Sequence, residues 1–243
     1  MTALATRETL AFLERFLPPP PARLLQVGAG DGDLALALAR RRYVVAALDE
    51  GLAAEARGSE VEWIPAELIH YEPERPFDAV LFTDSLLALQ PVGRALDRSV
   101  DLLGPGGLVL AEELAFDRVN VHTARWFYDL ESVLVAAEIV EPPDAVHAAE
   151  RRPLARWRQE HASDPPLASG HDLLAAARDR LDLAAVEEAP ALYRRFAGRA
   201  RNGPRAGPRG TRVLEVVFEL ESRLIRERDI AAAGLRFVGK RLL

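Results

Sequence analysis

Three glycines at alternate positions, Gly28, Gly30 and Gly32, interrupt the stretch RLLQVGAGDGDLALALAR from Arg23 to Arg40. Glycine reaches positive φ without steric penalty and lets another group approach the backbone closely. The spacing therefore marks a turn with something lying against it. Two acids, Asp31 and Asp33, share the turn. A dinucleotide fingerprint needs glycine at its first, third and sixth positions, and the sixth position here is Asp33. A pyrophosphate at the start of the following helix would meet Asp31, whose charge opposes what the helix dipole favours. The turn suits a ligand without phosphate that carries net positive charge, and it discourages a nicotinamide or flavin dinucleotide.

Other reactive side chains are few. Cysteine is absent, which excludes disulfides and thiolate chemistry, and no spacing of the histidines suggests a metal site. Of the histidines at positions 70, 122, 147, 161 and 171, His122 is the candidate for a catalytic base, because it follows the fifth predicted strand at the expected mouth of a cleft. Trp126 and Tyr128 share its predicted helix and could contact an aromatic or apolar acceptor. The same aromatic cluster, with Phe127, also reads as the core of an added segment. His161 and His171 flank ASDPPLASG and could reach a substrate from above.

The elements that must position these residues follow from hydrophobic periodicity. Leu4 to Leu17 reads as an amphipathic helix stopped by Pro18 to Pro21. ARLLQV, YVVAAL, VEWI and FDAVLFT read as buried strands. DLALALARR and Pro91 to Leu103 read as helices, with a short helix after Asp49 and Glu50. GPGGLVLAEEL is a turn into a fifth strand. Short apolar strands alternating with helices predict right-handed crossovers and a parallel sheet covered on both faces. Beyond Leu114 the pattern predicts a helical insertion over 117–168, built from Val121 to Val140 and Ala145 to His161. A further helix, DLLAAARDRLDL, leads into a strand, AAVEEAPALYRRF. The segment 197–212, rich in Arg, Gly and Pro, reads as a solvated loop. Val213 to Ala233 reads as a helix and LRFVGKRL as a last strand. The glycines then sit at the carboxyl end of the first strand, where ligands bind in such sheets.

Taken in register, VGAGDG, Asp49, PAEL at Pro65 to Leu68, and LLGPGGLVLAEEL resemble the class I S-adenosylmethionine-dependent methyltransferases. The resemblance covers Arg23 to Leu114 in order. It implies a Rossmann-like α/β fold: a doubly wound, mostly parallel seven-stranded sheet, one domain over 1–243, with an N-terminal helix and Pro connector over 1–21. It implies S-adenosylmethionine as cofactor. Gly28, Ala29, Gly30 and Gly32 would pass its methionine part. Asp49, with Glu50 beside it, would hold the ribose diol, since a carboxylate accepts two hydrogen bonds at once. Glu67 and the Leu68 N–H would meet the adenine. Thr83, Asp84 and Ser85 would floor the methyl-transfer site. Gln26 stands where the family usually has an acid; it can accept a hydrogen bond from the cofactor's ammonium but brings no charge.

The implied activity is methyl transfer to a small-molecule acceptor, with the insertion and the 197–212 loop as a lid. A scaffold that kept the fold and lost catalysis, and a nicotinamide-dependent oxidoreductase, are the alternatives. The net charge of −6 gives no global attraction to nucleic acid or an anionic membrane. No apolar run approaches the roughly 20 residues of a membrane span, so a cytoplasmic protein is expected.

Overall fold

The apolar runs form the strands they predict. The computed structural model describes residues 3–51, 59–143, 150, 152–163, 165–201 and 207–242. Strands β1 (Arg23–Val27), β2 (Val44–Leu48), β3 (Val61–Ile64), β4 (Phe77–Thr83) and β5 (Leu103–Leu114) lie parallel. With β6 (Leu181–Ala189) and β7 (Gly234–Arg241) they make one seven-stranded sheet of order β3-β2-β1-β4-β5-β7-β6. β7 is antiparallel to both its neighbours. The strand order reverses at β1, whose carboxyl end lies between those of β2 and β4. That is the switch point at which open α/β sheets bind ligands.

Strand alternation divides the core between the two faces. On one face Leu24, Val45, Ala79 and Leu81 pack against Leu10 and Leu13 of α1 (Ala3–Leu13) and Leu34 and Leu38 of α2 (Asp33–Ala39). On the other, Leu25, Val80, Phe82 and Phe237 pack against Leu96 of α3 (Val92–Asp101) and against Leu173 and Ala177 of the helix over Gly170–Arg180. No helix among the described residues is long and apolar enough to cross a membrane.

A third cluster lies beyond the carboxyl end of β5. It draws on α4 (Val121–Ala136), α5 (Pro153–Glu160), α7 (Leu192–Arg201) and α8 (Pro208–Glu227), the helix over Gly170–Arg180 being α6. Phe127, Trp157, Tyr193, Phe196, Leu214 and Val217 form its centre, joined by Leu4 and Ala5 of α1. Phe127 stacks on Phe196 at 4.7 Å between ring centroids and meets Trp157 edge-on at 5.5 Å. We call this unit the cap. It has two sources: α4 and α5 follow β5, as the expected insertion over 117–168 requires, whereas α7 and α8 come from the connection between β6 and β7.

Three expectations are corrected. The strand predicted to run through AAVEEAPALYRRF ends at Ala189, and Leu192 opens α7. Pro190 has no N–H to give a ladder, and Glu221 of α8 accepts from the N–H groups of Ala191, Leu192 and Tyr193 at 2.8, 2.9 and 2.9 Å. A helix start leaves such donors without intrahelical partners and attracts negative charge. The 197–212 loop is in large part helical: α7 runs to Arg201, and Pro208, fitted to a first helical turn, opens α8. The N-terminal helix stops at Leu13 instead of Leu17. Residues 52–58, where a short helix was expected after Asp49 and Glu50, lie outside the described residues, as do 144–149, 151, 164 and 202–206.

Glu221 is fully buried, and burial raises its pKa against the pull of the three amides. Replacing it with Ala strips those amides of their acceptor. The expected loss is on the order of 3 kcal/mol of unfolding free energy in urea, with a smaller loss for Glu221→Gln, which keeps one acceptor oxygen. An alanine variant as stable as the parent would show that α7 starts without this cap.

Candidate active site

The glycine turn joins β1 to α2, and all three glycines hold positive φ, 72° at Gly28, 54° at Gly30 and 79° at Gly32. Their surroundings differ. A Cβ at Gly28 would fall 2.4 Å from the Cβ of Ser85, and one at Gly32 would fall 2.4 Å from the Trp63 ring. At those two positions the group lying against the turn is the protein itself. Among the described residues, a Cβ at Gly30 would meet nothing within 4 Å. Gly30 is thus the position where the turn faces open space.

The ends of β1 and β2 are tied at this turn. The N–H groups of Gly28 and Ala29 donate to the Leu48 carbonyl at 2.8 and 3.3 Å. Asp49 spreads its carboxylate between two loops, accepting from Gly30 N–H at 2.8 Å on Oδ2 and from Gly51 N–H at 2.9 Å on Oδ1. Gln26, in β1, is 1% exposed, and its buried side-chain oxygen has no hydrogen-bond partner among the described residues. Such a group is costly to bury unless something comes to satisfy it. A cavity of about 220 Å³ is lined by Glu50, which follows Asp49, and by Glu67, Leu68, Leu89 and Arg94 among others. The sequence-predicted Glu50, Glu67 and Leu68 therefore share one pocket, with Glu67 also paired to His70 at 3.0 Å.

After β4 the chain turns sharply. Asp84 takes φ 52°, a left-handed conformation uncommon for a residue with a side chain. Thr83 N–H donates to Ser85 Oγ at 3.3 Å, and Ser85 Oγ donates to the Val27 carbonyl at 2.8 Å, so this floor is tied to β1. Glu113 holds the rest. Its Oε1 accepts from Ser85 and Leu86 N–H at 3.2 and 3.0 Å, and its Oε2 from Leu87 N–H at 3.2 Å. Burial, reinforced by the neighbouring Asp84 charge, pushes Glu113 up to about 8 despite those amides.

The adjacent Glu112 faces the other way. It accepts from Thr9 Oγ1 at 2.7 Å and pairs with Arg194 and Arg236, each at 2.5 Å. Burial would raise its pKa, but the two guanidinium groups prevail and hold it down at about 2. Arg194 reaches from α7 to Glu112, to Thr9 Oγ1 at 3.0 Å and to Asp84 Oδ2 at 3.3 Å. The Asp84 side chain is 43% accessible beside the buried Arg194. Removal from bulk water raises its pKa, and Arg194 opposes the rise.

The cap residues are placed as follows. His122 is exposed at the start of α4, its backbone N–H taken by Asn120 Oδ1 at 3.0 Å. Among the described residues no interaction joins its imidazole to the glycine turn or to Asp84. Trp126 is half-buried at the edge of the cap core, and Tyr128 is inside it beneath Arg156, 4.0 Å from ring centroid to guanidinium carbon. His161 is buried, lies 4.1 Å from the Trp157 ring between centroids, and bonds the Trp157 carbonyl through Nδ1 at 2.8 Å. Burial lowers its pKa to about 4. Among the described residues no cluster of acids and histidines could hold a metal ion. Sequence reasoning missed Glu112, Glu113 and Arg194. The first two end an otherwise apolar strand, and charged residues are seldom fully buried there unless paired. Arg194 falls in the stretch AAVEEAPALYRRF expected to be a strand; its side chain is 10% exposed because Glu112 draws it in.

The strand order, the glycine turn at the switch point and the acid at the end of β2 together define a class I S-adenosylmethionine-dependent methyltransferase fold. The family described as "Methyltransferase domain" matches residues 1–179, and the chain belongs to it. An uncharacterized methyltransferase of Mycobacterium tuberculosis is 34% identical over 104 residues, which cover 40% of this chain and 53% of that protein. A Mycobacterium bovis protein of the same description matches equally. The match thus spans about half the length of these curated relatives. Among solved structures, the cyclase SpnF aligns over 98% of this chain and 82% of its own at 18% identity, with a TM-score of 0.58. Phosphoethanolamine N-methyltransferase 2 of Haemonchus contortus, solved with S-adenosyl-L-methionine, aligns over 98% of this chain and 53% of its own at 16% identity and TM-score 0.57. The PH0226 protein of Pyrococcus horikoshii aligns over 100% and 92% at 14% identity and TM-score 0.54. These likenesses show a shared fold.

Two predictions follow from this geometry. Gly30→Ala should cost about 1–2 kcal/mol, the penalty of left-handed backbone alone. Gly28→Ala should cost clearly more, because Ser85 must also shift; equal losses in urea titration would remove the Ser85 contact as the reason. The second concerns pH. Glutamate titrates ordinarily near 4.5 and Glu113 near 8, so between those values the native state binds a proton that the unfolded chain lacks. Stability from this group is full below about pH 4.5 and is lost as pH rises through about 8. Glu113→Gln should flatten that fall, which amounts to a few kcal/mol at most. An unchanged slope of unfolding free energy against pH would assign the effect elsewhere.

Proposed function

We propose that this chain transfers a methyl group from S-adenosylmethionine to a small-molecule acceptor. The observation that carries the reading is the Gln26 side-chain oxygen, buried without a partner among the described residues, beside a glycine turn whose middle residue meets none of them. A ligand that runs past Gly30 and presents an ammonium group meets both features. When bound, S-adenosylmethionine supplies an electrophilic methyl group on a sulfonium.

The chain's own residues bind and align. In this reading Gly28, Ala29, Gly30 and Gly32 form the backbone cradle, and Gln26 accepts from the ammonium. The lone pairs of Asp49 not used by Gly30 and Gly51 take the ribose diol, with Glu50 at the mouth. Glu67 and the Leu68 N–H, on the wall of the neighbouring cavity, take the adenine. Thr83 and Asp84 form the floor at the reacting centre, where methyl transfer asks chiefly for alignment and exclusion of water. The cap serves as the lid, supported by the reach of Arg194 from α7 to Asp84. His122 would enter only if the cap closes further, and Trp126 would line the acceptor side. We place this activity in the cytoplasm, acting on neither nucleic acid nor membrane, in keeping with the acidic chain and its lack of cysteine.

Calorimetric titration with S-adenosylhomocysteine, with NADH as the control, tests the reading. Binding should raise the melting temperature, and NADH should give no heat. Asp49→Ala should weaken binding by about 1.5–3 kcal/mol, the range for hydrogen bonds to a charged group. Its fold should persist, since both bonds it loses are at exposed loops. A folded parent that binds no cofactor at millimolar concentration would overturn the proposal.

A further inference from the structure

A second cavity, of about 470 Å³, opens within the cap and is lined by Phe127, Glu131, Arg156, Glu160 and the α7 residues Arg194, Arg195, Gly198 and Arg199. Four arginines and two glutamates make its charge unequal. Most of that charge is spent inside the protein. Arg156 pairs with Glu131 and Glu160, each at 2.8 Å, and Arg199 also pairs with Glu131. Arg194 is taken by Glu112 and Asp84. Arg195 is exposed on the cavity wall and has no ion pair or hydrogen bond among the described residues. Its charge is nonetheless felt on both sides, favouring the ionised form of Asp84 and disfavouring that of His161.

Gly198 is the second observation. A glycine inside a helix is less favourable than alanine. Among the described residues a Cβ at Gly198 would meet nothing within 4 Å, so neither packing against them nor a strained φ requires glycine there. Its missing side chain leaves room in the cavity one turn along α7 from the arginine pair. Phe127 gives the same cavity an apolar wall. One residue links the cavity to the floor after β4: Arg194 borders the cavity and bonds Asp84.

We propose that this cavity is the acceptor pocket and that it takes a small acceptor with an apolar body and an anionic group, a carboxylate or a phosphate, which Arg195 neutralises. The inference rests on the methyl-transfer reading. The acid end sits at Arg195, the apolar body lies along Phe127 and Gly198, and the nucleophilic end points to Asp84 and the methyl donor. Arginine suits this role because its planar fork matches both anions.

The test titrates benzoate, inorganic phosphate and the neutral benzyl alcohol into the protein, with and without saturating S-adenosylhomocysteine, by calorimetry. At least one anion should bind the loaded parent, and benzyl alcohol should bind at least tenfold more weakly than benzoate. Benzoate binding with weak phosphate identifies a carboxylate site, and the reverse a phosphate site. Arg195→Gln should lose at least tenfold in anion affinity while binding S-adenosylhomocysteine like the parent. Gly198→Leu, which fills the cavity without changing charge, should lose as much for benzoate. Cofactor binding without any anion binding, or an Arg195→Gln variant that binds anions like the parent, would overturn this inference and leave the methyl-transfer reading intact. Failure to bind S-adenosylhomocysteine would instead remove the methyl-transfer reading, and with it the acceptor role.

Discussion

Two adjacent carboxylates at the end of β5 hold the two halves of the site in place. Neighbouring residues of a strand point to opposite faces, and here each face receives one buried acid. Glu113 gathers the amides of Ser85, Leu86 and Leu87 and so shapes the floor after β4. Glu112 gathers Arg194, Arg236 and Thr9 and so anchors α7 of the cap, β7 of the sheet and α1. Their surroundings push the two pKa values apart, Glu113 to about 8 and Glu112 to about 2. One acid is answered by amides and a neighbouring acid, the other by two full positive charges. Deleting one partner of such a buried pair leaves the other charge uncompensated, which is far worse than never having had the pair. The floor and the cap are therefore fastened to one dipeptide.

The glycine turn shows how one motif can answer several demands. Its regular spacing invites a single explanation, a ligand along its length. The structure divides the work. Gly28 lets the end of β1 meet Ser85, Gly32 lets α2 start beneath Trp63, and Gly30 leaves the space open. Two of the three positions thus assemble the switch point from β1, β3 and β4, and the third exposes backbone at it. An open stretch of backbone and the joints that carry it are built from the same residue type because both need backbone without a side chain.

The strands and the glycine turn were legible because their causes are local. An apolar run of five residues bounded by turn formers is a strand wherever it lies, and FDAVLFT occupies Phe77–Thr83 to the residue. Asp49 and the glycines are fixed by short-range geometry at the β1 and β2 ends. The cap was not legible to the same degree, because its causes are distant in the chain. Nothing near Leu192 announces a helix start; the acceptor for its amides is Glu221, 29 residues on. Nothing near Arg194 says that it is buried; its partner is Glu112, a whole subdomain earlier. Long-range ion pairs between residues of ordinary type have no spacing rule to betray them, so the arginine-rich segment read as solvent-exposed.

The place of β7 has a consequence for how the molecule is made. This strand, Gly234–Arg241, lies between β5 and β6 although it follows both in the chain. As the polypeptide leaves the ribosome, β1 to β5 can pair in order, but the β5 edge from Leu108 to Leu114 has no partner until residues 234–241 arrive. The nascent half-sheet must wait with an open, largely apolar edge, the kind of surface on which chains associate wrongly. Arg236, the second cation on Glu112, arrives with the same strand. The arrival of this strand therefore closes the sheet, brings the second cation to a buried acid and seats Ala233 in the cap core in a single insertion, and until that moment the cap has no wall to stand on.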